Sequence, residues 1–421
     1  MSQPKVKLQK YLRRQAVIRP LNTPVHNINK TARAVIIPAM AESEHLPRTL
    51  ASLEQNYPLA AREQTIVLVI VNQPCGANIF LPAKDLHNIS ILEDNQTTLA
   101  WLAAHQNAFS FQLRWIDAAN PGCQMPPDTG VGRARRIGAD SLLSEIYEPY
   151  STHPAPRSPE DLVMLHLDAD TLVGQNYIEV ASHGIRAAGT DGGVVNYQHQ
   201  MPDNPETAAA IAAYEKYLRY VVDGLRFASS PYAYHTIGST MVCTAAGYIK
   251  AGGIPIKRQA GEDFYFLQQL AKTGGIAQIN QTRVYPAARI SSRNPYGTGP
   301  AVQKIMKDGV TNYRVYAPEC FMVLKEWLDT VRQHLDANPN TILNSVAQPV
   351  MREFVAAKGF AQAWRGLQHH HPDPARRLKA FHEWFDALAT IRLLRHLTRT
   401  CYEPVPLPVA RHTLASISKR R

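Results

Sequence analysis

One stretch constrains the fold of this chain more than any other: Ile66-Val67-Leu68-Val69-Ile70-Val71-Asn72. A strand with one wet face alternates apolar and polar residues, and this one does not. It reads as a strand covered on both faces, the environment of a parallel sheet with crossover helices. The clean apolar run, Thr65 to Val71, falls far short of the roughly 20 residues needed to span a bilayer.

Further short apolar runs read as strands: Ala34-Val35-Ile36-Ile37-Pro38, Asn88–Leu92, Phe111–Ile116, Leu162–Leu167 and Gly192–Gln198. Helical periodicity falls between them. Glu44–Gln55 places Leu46, Leu50 and Leu53 on one face, Arg133–Tyr147 follows a glycine turn, and Glu206–Phe227 is long. Strands alternating with helices predict an α/β sheet. From Pro318 to His396 the pattern is helical throughout, with pieces at Phe321–Leu335, Ile342–Lys358 and Arg376–Leu397. Three segments are expected: a basic N-terminal tail over 1–33, an α/β domain over 34–317, and a C-terminal helical region with a basic end over 318–421. Trp327, Trp364 and Trp384 are expected in the core of the last, and His369, His370 and His371 on its surface.

The 421 residues carry a net charge of +11, which suggests an anionic partner: nucleic acid, a membrane surface or a phosphate-bearing substrate. The charge is unevenly placed. Residues 1–33 hold eight cations and no acid, and Arg411, Lys419, Arg420 and Arg421 close the chain, so the stretch between is nearly neutral. Its useful positive charge is local, at Arg133–Arg136 and Arg289–Arg293. The N-terminal segment reads as a solvated tail, or else Val6–Ile18 forms a basic amphipathic helix in peripheral contact with an anionic membrane. No nucleic-acid-binding motif accompanies the charge. The five cysteines form no Cys-x-x-Cys pair, and no signal-peptide core follows the N-terminus, so a cytoplasmic protein is expected.

Four segments carry chemistry. Val163–Leu167 is an apolar run that ends in Asp168-Ala169-Asp170. Ligands of open α/β sheets bind beyond the carboxyl ends of strands. Two carboxylates there offer hard oxygen ligands to Mg²⁺ or Mn²⁺. Gly130-Val131-Gly132-Arg133-Ala134-Arg135-Arg136-Ile137-Gly138 opens a predicted helix, where glycines, backbone N–H groups and arginines suit an anion. Gly261-Glu262-Asp263-Phe264 places adjacent acids at a helix start. They are ordinary first-turn residues, or a general base whose neighbour raises its pKa. Ile237-Gly238-Ser239-Thr240 is a glycine-flanked strand end that could close over an acceptor.

Taken in order, "VIIPAMAESEHLPRTLASL", "IVLVIVNQP", "GVGRARRIGAD", "LHLDADT", "IGSTMVCTAAGYIKAGGI" and "GEDFYFLQQL" resemble the family 2 glycosyltransferases, over about residues 34–300. The resemblance implies a GT-A fold: a Rossmann-like, mixed, mostly parallel sheet flanked by helices, with the C-terminal helices as an extension. It implies a metal-dependent, hexosyltransferase-like enzyme that moves one sugar from a nucleotide-sugar donor to a hydroxyl acceptor with inversion. Pro38, Ala39 and Glu42 match the first nucleotide-contacting loop; Arg133 and Arg136 match the segment under the diphosphate. Asp168 and Asp170 match the metal-binding pair, and Glu262 and Asp263 the Glu-Asp pair with Asp263 as base; Gly238 and Ser239, from the glycine-flanked strand end, are expected on the acceptor side. Asn72 stands where the family usually has a base-holding Asp, and Arg283–Pro300 holds no histidine to act as a third metal ligand. The stretch with Arg293 and Pro295–Pro300 is expected to form a flexible loop that closes over the diphosphate, with Arg293 as a leaving-group contact, or else an ordinary surface loop. The Gln-x-x-Arg-Trp motif of processive synthases is absent. The alternative is a catalytically inactive GT-A protein that binds a nucleotide or carbohydrate.

Overall fold

The computed structural model describes residues 3–76, 90–147, 158–256, 261–289 and 298–419. The apolar run becomes β2 (Thr65–Asn72), buried at every position, beside the equally buried β1 (Arg33–Ala39). The two are parallel, with Arg33 opposite Thr65 and Ala39 opposite Val71. β3 (Gln112–Ala118) lies parallel on the far side of β2, and β4 (Val163–His166) lies parallel on the far side of β1. The sheet is completed by β5 (Leu172–Val173), β6 (Gly192–Tyr197), β7 (Met241–Thr244) and β8 (Ile276–Tyr285), in the order β3-β2-β1-β4-β7-β6-β8-β5. Only β7 and the short β5 run antiparallel to their neighbours. This is the mixed, mostly parallel α/β sheet that the unalternating run foretells.

The chain falls into two compact units, residues 1–203 with 236–301, and residues 204–235 with 302–421. The first holds the sheet. Its helices are α1 (Gln3–Arg14), α2 (Leu46–Glu54), α3 (Leu59–Glu63), α4 (Ile91–Ala104), α5 (Val131–Tyr147) and α6 (Tyr177–Ala188). After α7 (Pro205–Phe227) come α8 (Ala245–Lys250) and α9 (Glu262–Thr273). Leu46, Leu50 and Leu53 are all buried, as the periodicity of α2 requires. One expected strand is corrected. Of Asn88–Leu92, the first two positions lie outside the described residues, and Ile91 begins α4. Ser90 and Glu93 form a reciprocal capping box there, a helix start hidden in a β-branched stretch.

The basic N-terminal segment is packed rather than solvated. Leu8, Tyr11 and Leu12 of α1 are buried. Tyr11 Oη donates to Asp140 Oδ1 at 2.7 Å, and the Val17 N–H donates to Asp140 Oδ2 at 2.7 Å. Further along, Asn22 exchanges bonds of 2.9 Å with the Trp115 backbone. Residues 22–26 thereby cover the free edge of β3, which would otherwise offer unpaired N–H and C=O groups. Leu8, Tyr11 and Leu12 are spent on this packing, Ile18 stays exposed, and Lys7, Lys10, Arg13 and Arg14 face outward. Among the described residues, no helix is long and apolar enough to cross a membrane.

The second unit gathers α7 and the later helices: α10 (Thr298–Asp308), α11 (Pro318–Gln333), α12 (Pro339–Ser345), α13 (Pro349–Ala357), α14 (Phe360–His370), α15 (Pro374–Trp384), α16 (Ala387–Thr400) and α17 (Leu407–Lys419). The division of the chain falls inside α10. Trp327 is fully buried, ringed edge-on by Phe360, Phe381 and Phe385 with centroids 5.0, 5.7 and 6.0 Å away. Trp364 is also buried, and its indole N–H donates to the Ala337 carbonyl at 3.0 Å. Trp384 is half-buried under the Lys358 ammonium, and His369 and His370 are exposed. Two expected long helices are each broken in two. Pro349 has no N–H to donate and holds Gln348 extended, so 342–358 splits into α12 and α13. Asp386 accepts from the Ala389 N–H at 3.0 Å and starts α16 afresh.

Candidate active site

The site is built where β1, β2 and β4 end. Beyond Ala39 the chain turns sharply, with Ala41 in the left-handed region at φ 54° and its N–H donating to Asn95 Oδ1 at 2.9 Å. That turn buries Glu42. In register, Pro38 faces Ile70 and Ala39 faces Val71, so Asn72 lies one position beyond, on the neighbouring strand. Asn72 is buried, and its side-chain oxygen has no hydrogen-bond partner among the described residues. Asn95 holds both loops: its Nδ2 also donates to the Asn72 carbonyl at 3.4 Å and to Gln73 Oε1 at 3.3 Å.

After β4 the Leu167 N–H still donates to the Ile36 carbonyl at 3.1 Å. The chain then leaves the sheet through a turn closed by the Thr171 N–H on the Asp168 carbonyl at 3.1 Å. Each aspartate of Asp168-Ala169-Asp170 meets a different arginine. Arg135, from α5, donates through Nη2 to Asp168 Oδ1, and its Nε lies 3.6 Å from Glu262 Oε1. Arg289 donates through one nitrogen to Glu42 and lies 2.8 Å from Asp170 Oδ2. Burial, with Glu42 and Asp168 nearby, raises the Asp170 pKa, and Arg289 opposes the rise.

Glu262 and Asp263 open α9 after Gly261, which sits at φ 104° in the left-handed region. Two close approaches fix their place beside Arg135. A Cβ on Gly132 would come within 2.7 Å of the Glu262 Cβ, and one on Gly238 within 2.6 Å of Arg135 Nη2. Glycine at both positions is therefore a packing requirement of the site. Burial, and next the Glu262 carboxylate, push the Asp263 pKa up to about 7. The Phe264 N–H, donating to Asp263 Oδ1 at 2.7 Å, and Arg135 pull the other way. A carboxyl near neutrality, partly exposed at the mouth of a strand-end cluster, is suited to taking a proton.

The residues singled out in the sequence sort themselves in space. Glu42, Asp168, Asp170, Glu262 and Asp263 share one electrostatic network through Arg135 and Arg289. Arg136 is engaged elsewhere, on Asp140 at 3.3 Å, the Ile254 carbonyl at 3.1 Å and the Gln15 carbonyl at 2.9 Å. Arg133 stands at the start of α5 with no acid partner among the described residues; burial and the nearby Arg19 and Arg136 lower its pKa. Ser239 is fully buried, with an unpartnered Oγ among the described residues, and Gly238 is spent on Arg135. Arg293 lies outside the described residues. Asn95 carries no sequence signal of its role, and Arg135, expected with its neighbours to meet an anionic ligand, is instead spent on Asp168 and Glu262. The signal for Arg135 was its position on the buried face of α5, in step with Gly138, Ala139 and Leu142.

Among the described residues no group of three or more His, Cys, Asp or Glu is arranged to hold an ion. A divalent ion would be held by Asp168 and Asp170. Each binds its arginine through one oxygen, and the other oxygen has no protein partner among the described residues. Two such carboxylate oxygens are the hard donors that Mg²⁺ or Mn²⁺ takes.

No protein-family model matches the chain, and no curated protein matches it in sequence. Solved structures are similar to it in fold. One is TarS 1–349 of S. aureus in complex with UDP-GlcNAc, 12% identical, covering 84% of this chain and 91% of that one, with a TM-score of 0.41. Another is the mannosyltransferase PcManGT from Pyrobaculum calidifontis in complex with GDP-Man and Mn²⁺, 13% identical, covering 91% and 94%, with a TM-score of 0.35.

Proposed function

We propose that this protein is a GT-A-type glycosyltransferase that moves a single sugar from a nucleotide-diphosphate donor to a hydroxyl acceptor with inversion. The observation that carries the reading is Arg135. It ties the Asp-x-Asp strand end to the Glu-Asp helix start, two loose motifs far apart in sequence, in one ion-pair network. Chance matches would have no reason to meet there.

In this reading the donor lies across the ends of β1 and β2, against Pro38, Ala39 and Asn72. The unpartnered Asn72 oxygen accepts from the nucleobase. Asp168 and Asp170 would hold a divalent ion, which when bound would offset negative charge on the departing diphosphate. Asp263 takes the proton of the acceptor hydroxyl as that oxygen bonds to the anomeric carbon and the bond to the diphosphate breaks. Glu262, held beside Arg135, stands next to Asp263 and raises its basicity. Orientation and fixed electrostatics supply the acceleration.

The test is a thermal-shift panel of sugar nucleotides and nucleoside diphosphates with Mn²⁺, followed by donor hydrolysis and transfer measurements on whichever donors stabilise the fold. One class of donor should raise the melting temperature and be consumed. A panel that stabilises nothing sinks the reading; a donor that binds without turnover makes the chain a carbohydrate- or nucleotide-binding protein.

A further inference from the structure

We propose that Arg289 is the resident counter-cation of the strand-end acids and competes with the divalent ion for Asp170, so that the ion enters together with a donor diphosphate. The inference rests on the transferase reading above. One Arg289 nitrogen serves both Glu42 and Asp170, at 2.8 Å from the latter. Asp170 feels both the Glu42 and the Asp168 carboxylates. Removing the guanidinium would take away the arginine that Glu42 and Asp170 share, leaving His45, 3.3 Å from Glu42 Oε2, beside them.

A metal ion at Asp170 meets that guanidinium at the same carboxylate. Two cations on one carboxylate in a site of low dielectric repel each other strongly. A diphosphate removes the conflict, since its oxygens accept charge-assisted bonds from arginine. The two arginines of the site differ in their freedom to make the exchange. The Arg135 side chain is 2% exposed, whereas the Arg289 side chain is 30% exposed. Arg135 is also wedged against Gly238. Arg135 is therefore fixed structure and Arg289 is the cation that can move.

The experiment is Mn²⁺ binding to the purified full chain without nucleotide, followed by electron paramagnetic resonance of the free ion. Arg289→Gln and Arg289→Met should each bind Mn²⁺ about tenfold more tightly than wild type. Arg289→Lys, which keeps the cation, should not. Adding Asp170→Asn to Arg289→Gln should abolish the gain. Equal affinity in wild type and both neutral variants overturns the proposal, as does a gain that survives Asp170→Asn. Should the neutral variants fail to fold, the wild-type chain decides. Its Arg289 Nε–H resonance should shift when Mg²⁺ binds, and Mg²⁺ binding that leaves it unmoved overturns the proposal. The donor panel separates this outcome from failure of the transferase reading, because nucleotide binding can be present whether or not Arg289 competes with the ion.

Discussion

Two acids of the sheet-bearing unit, Asp140 and Asp263, start from the same physics and end in opposite surroundings. Both have a pKa raised chiefly by burial. Asp140 answers burial with partners. It accepts from Tyr11 at 2.7 Å, Tyr248 at 2.8 Å and the Val17 N–H at 2.7 Å, with Arg136 at 3.3 Å. Asp263 has the Phe264 N–H at one oxygen, and beside it a second carboxylate instead of a second donor. An acid surrounded by donors is satisfied where it stands; an acid pressed by another acid is not, and the proposed role of Asp263 as base rests on that difference.

The sharpest way to break that contrast is to remove both charges and compare what fails. Asp263→Asn keeps the shape and loses the proton acceptor. Transfer should fall by about 10²–10⁴-fold, the usual share of a general base, while the donor-induced thermal shift survives. Near-wild-type transfer in the purified variant would strip Asp263 of its role. Asp140→Ala should behave in the reverse manner. Two buried tyrosine hydroxyls and Arg136 lose their acceptor, so stability should drop by about 3 kcal/mol, read from the denaturant midpoint. Transfer per folded molecule should change little. A stable Asp140→Ala protein with lost transfer would mean that the N-terminal anchor belongs to the chemistry.

The same contrast explains what the sequence shows and what it hides. The unalternating run at Ile66–Val71 predicts a strand buried on both faces, and that follows from local pattern alone. So does the placing of Asp168 and Asp170 just past β4. The capping box at Ser90 and the restart at Asp386 were also written locally, but in single side chains that a periodicity reading averages away. Arg135 and Arg136 are adjacent in sequence and chemically identical, yet one enters the acid network and the other bolts down residues 11–17. Their difference is one step of helix rotation, about 100°. Arg136 finds its acid one turn on in the same helix, at Asp140, a spacing the sequence does show, whereas the place of Arg135 emerges only when Glu262, far along the chain, packs beside α5. Burial of the basic N-terminal segment was hidden for the same reason: its partners, Asp140, Trp115 and Gln112, lie about a hundred residues away.

The smallest expected effect sharpens the comparison most, because it separates the fold's interest in Asp263 from that of catalysis. The folded-state pKa of about 7 stands above the ordinary value of 3.8. The fold thus holds the proton more tightly than the unfolded chain does, and ionising the group costs stability. The sign follows from linkage: this destabilisation is absent below about pH 4, grows as pH rises toward about 7, and is complete above it. Catalysis asks for the opposite, since only the carboxylate can take a proton, so donor-saturated transfer should climb with pH over the same range and then level off. Asp263→Asn removes the ionisation while leaving the packing. Its melting temperature should exceed that of wild type by a few degrees at pH 8, and the advantage should vanish by pH 4. Equal melting temperatures at both pH values would mean that Asp263 is as well satisfied as Asp140, and its proximity to Glu262 would then be packing alone.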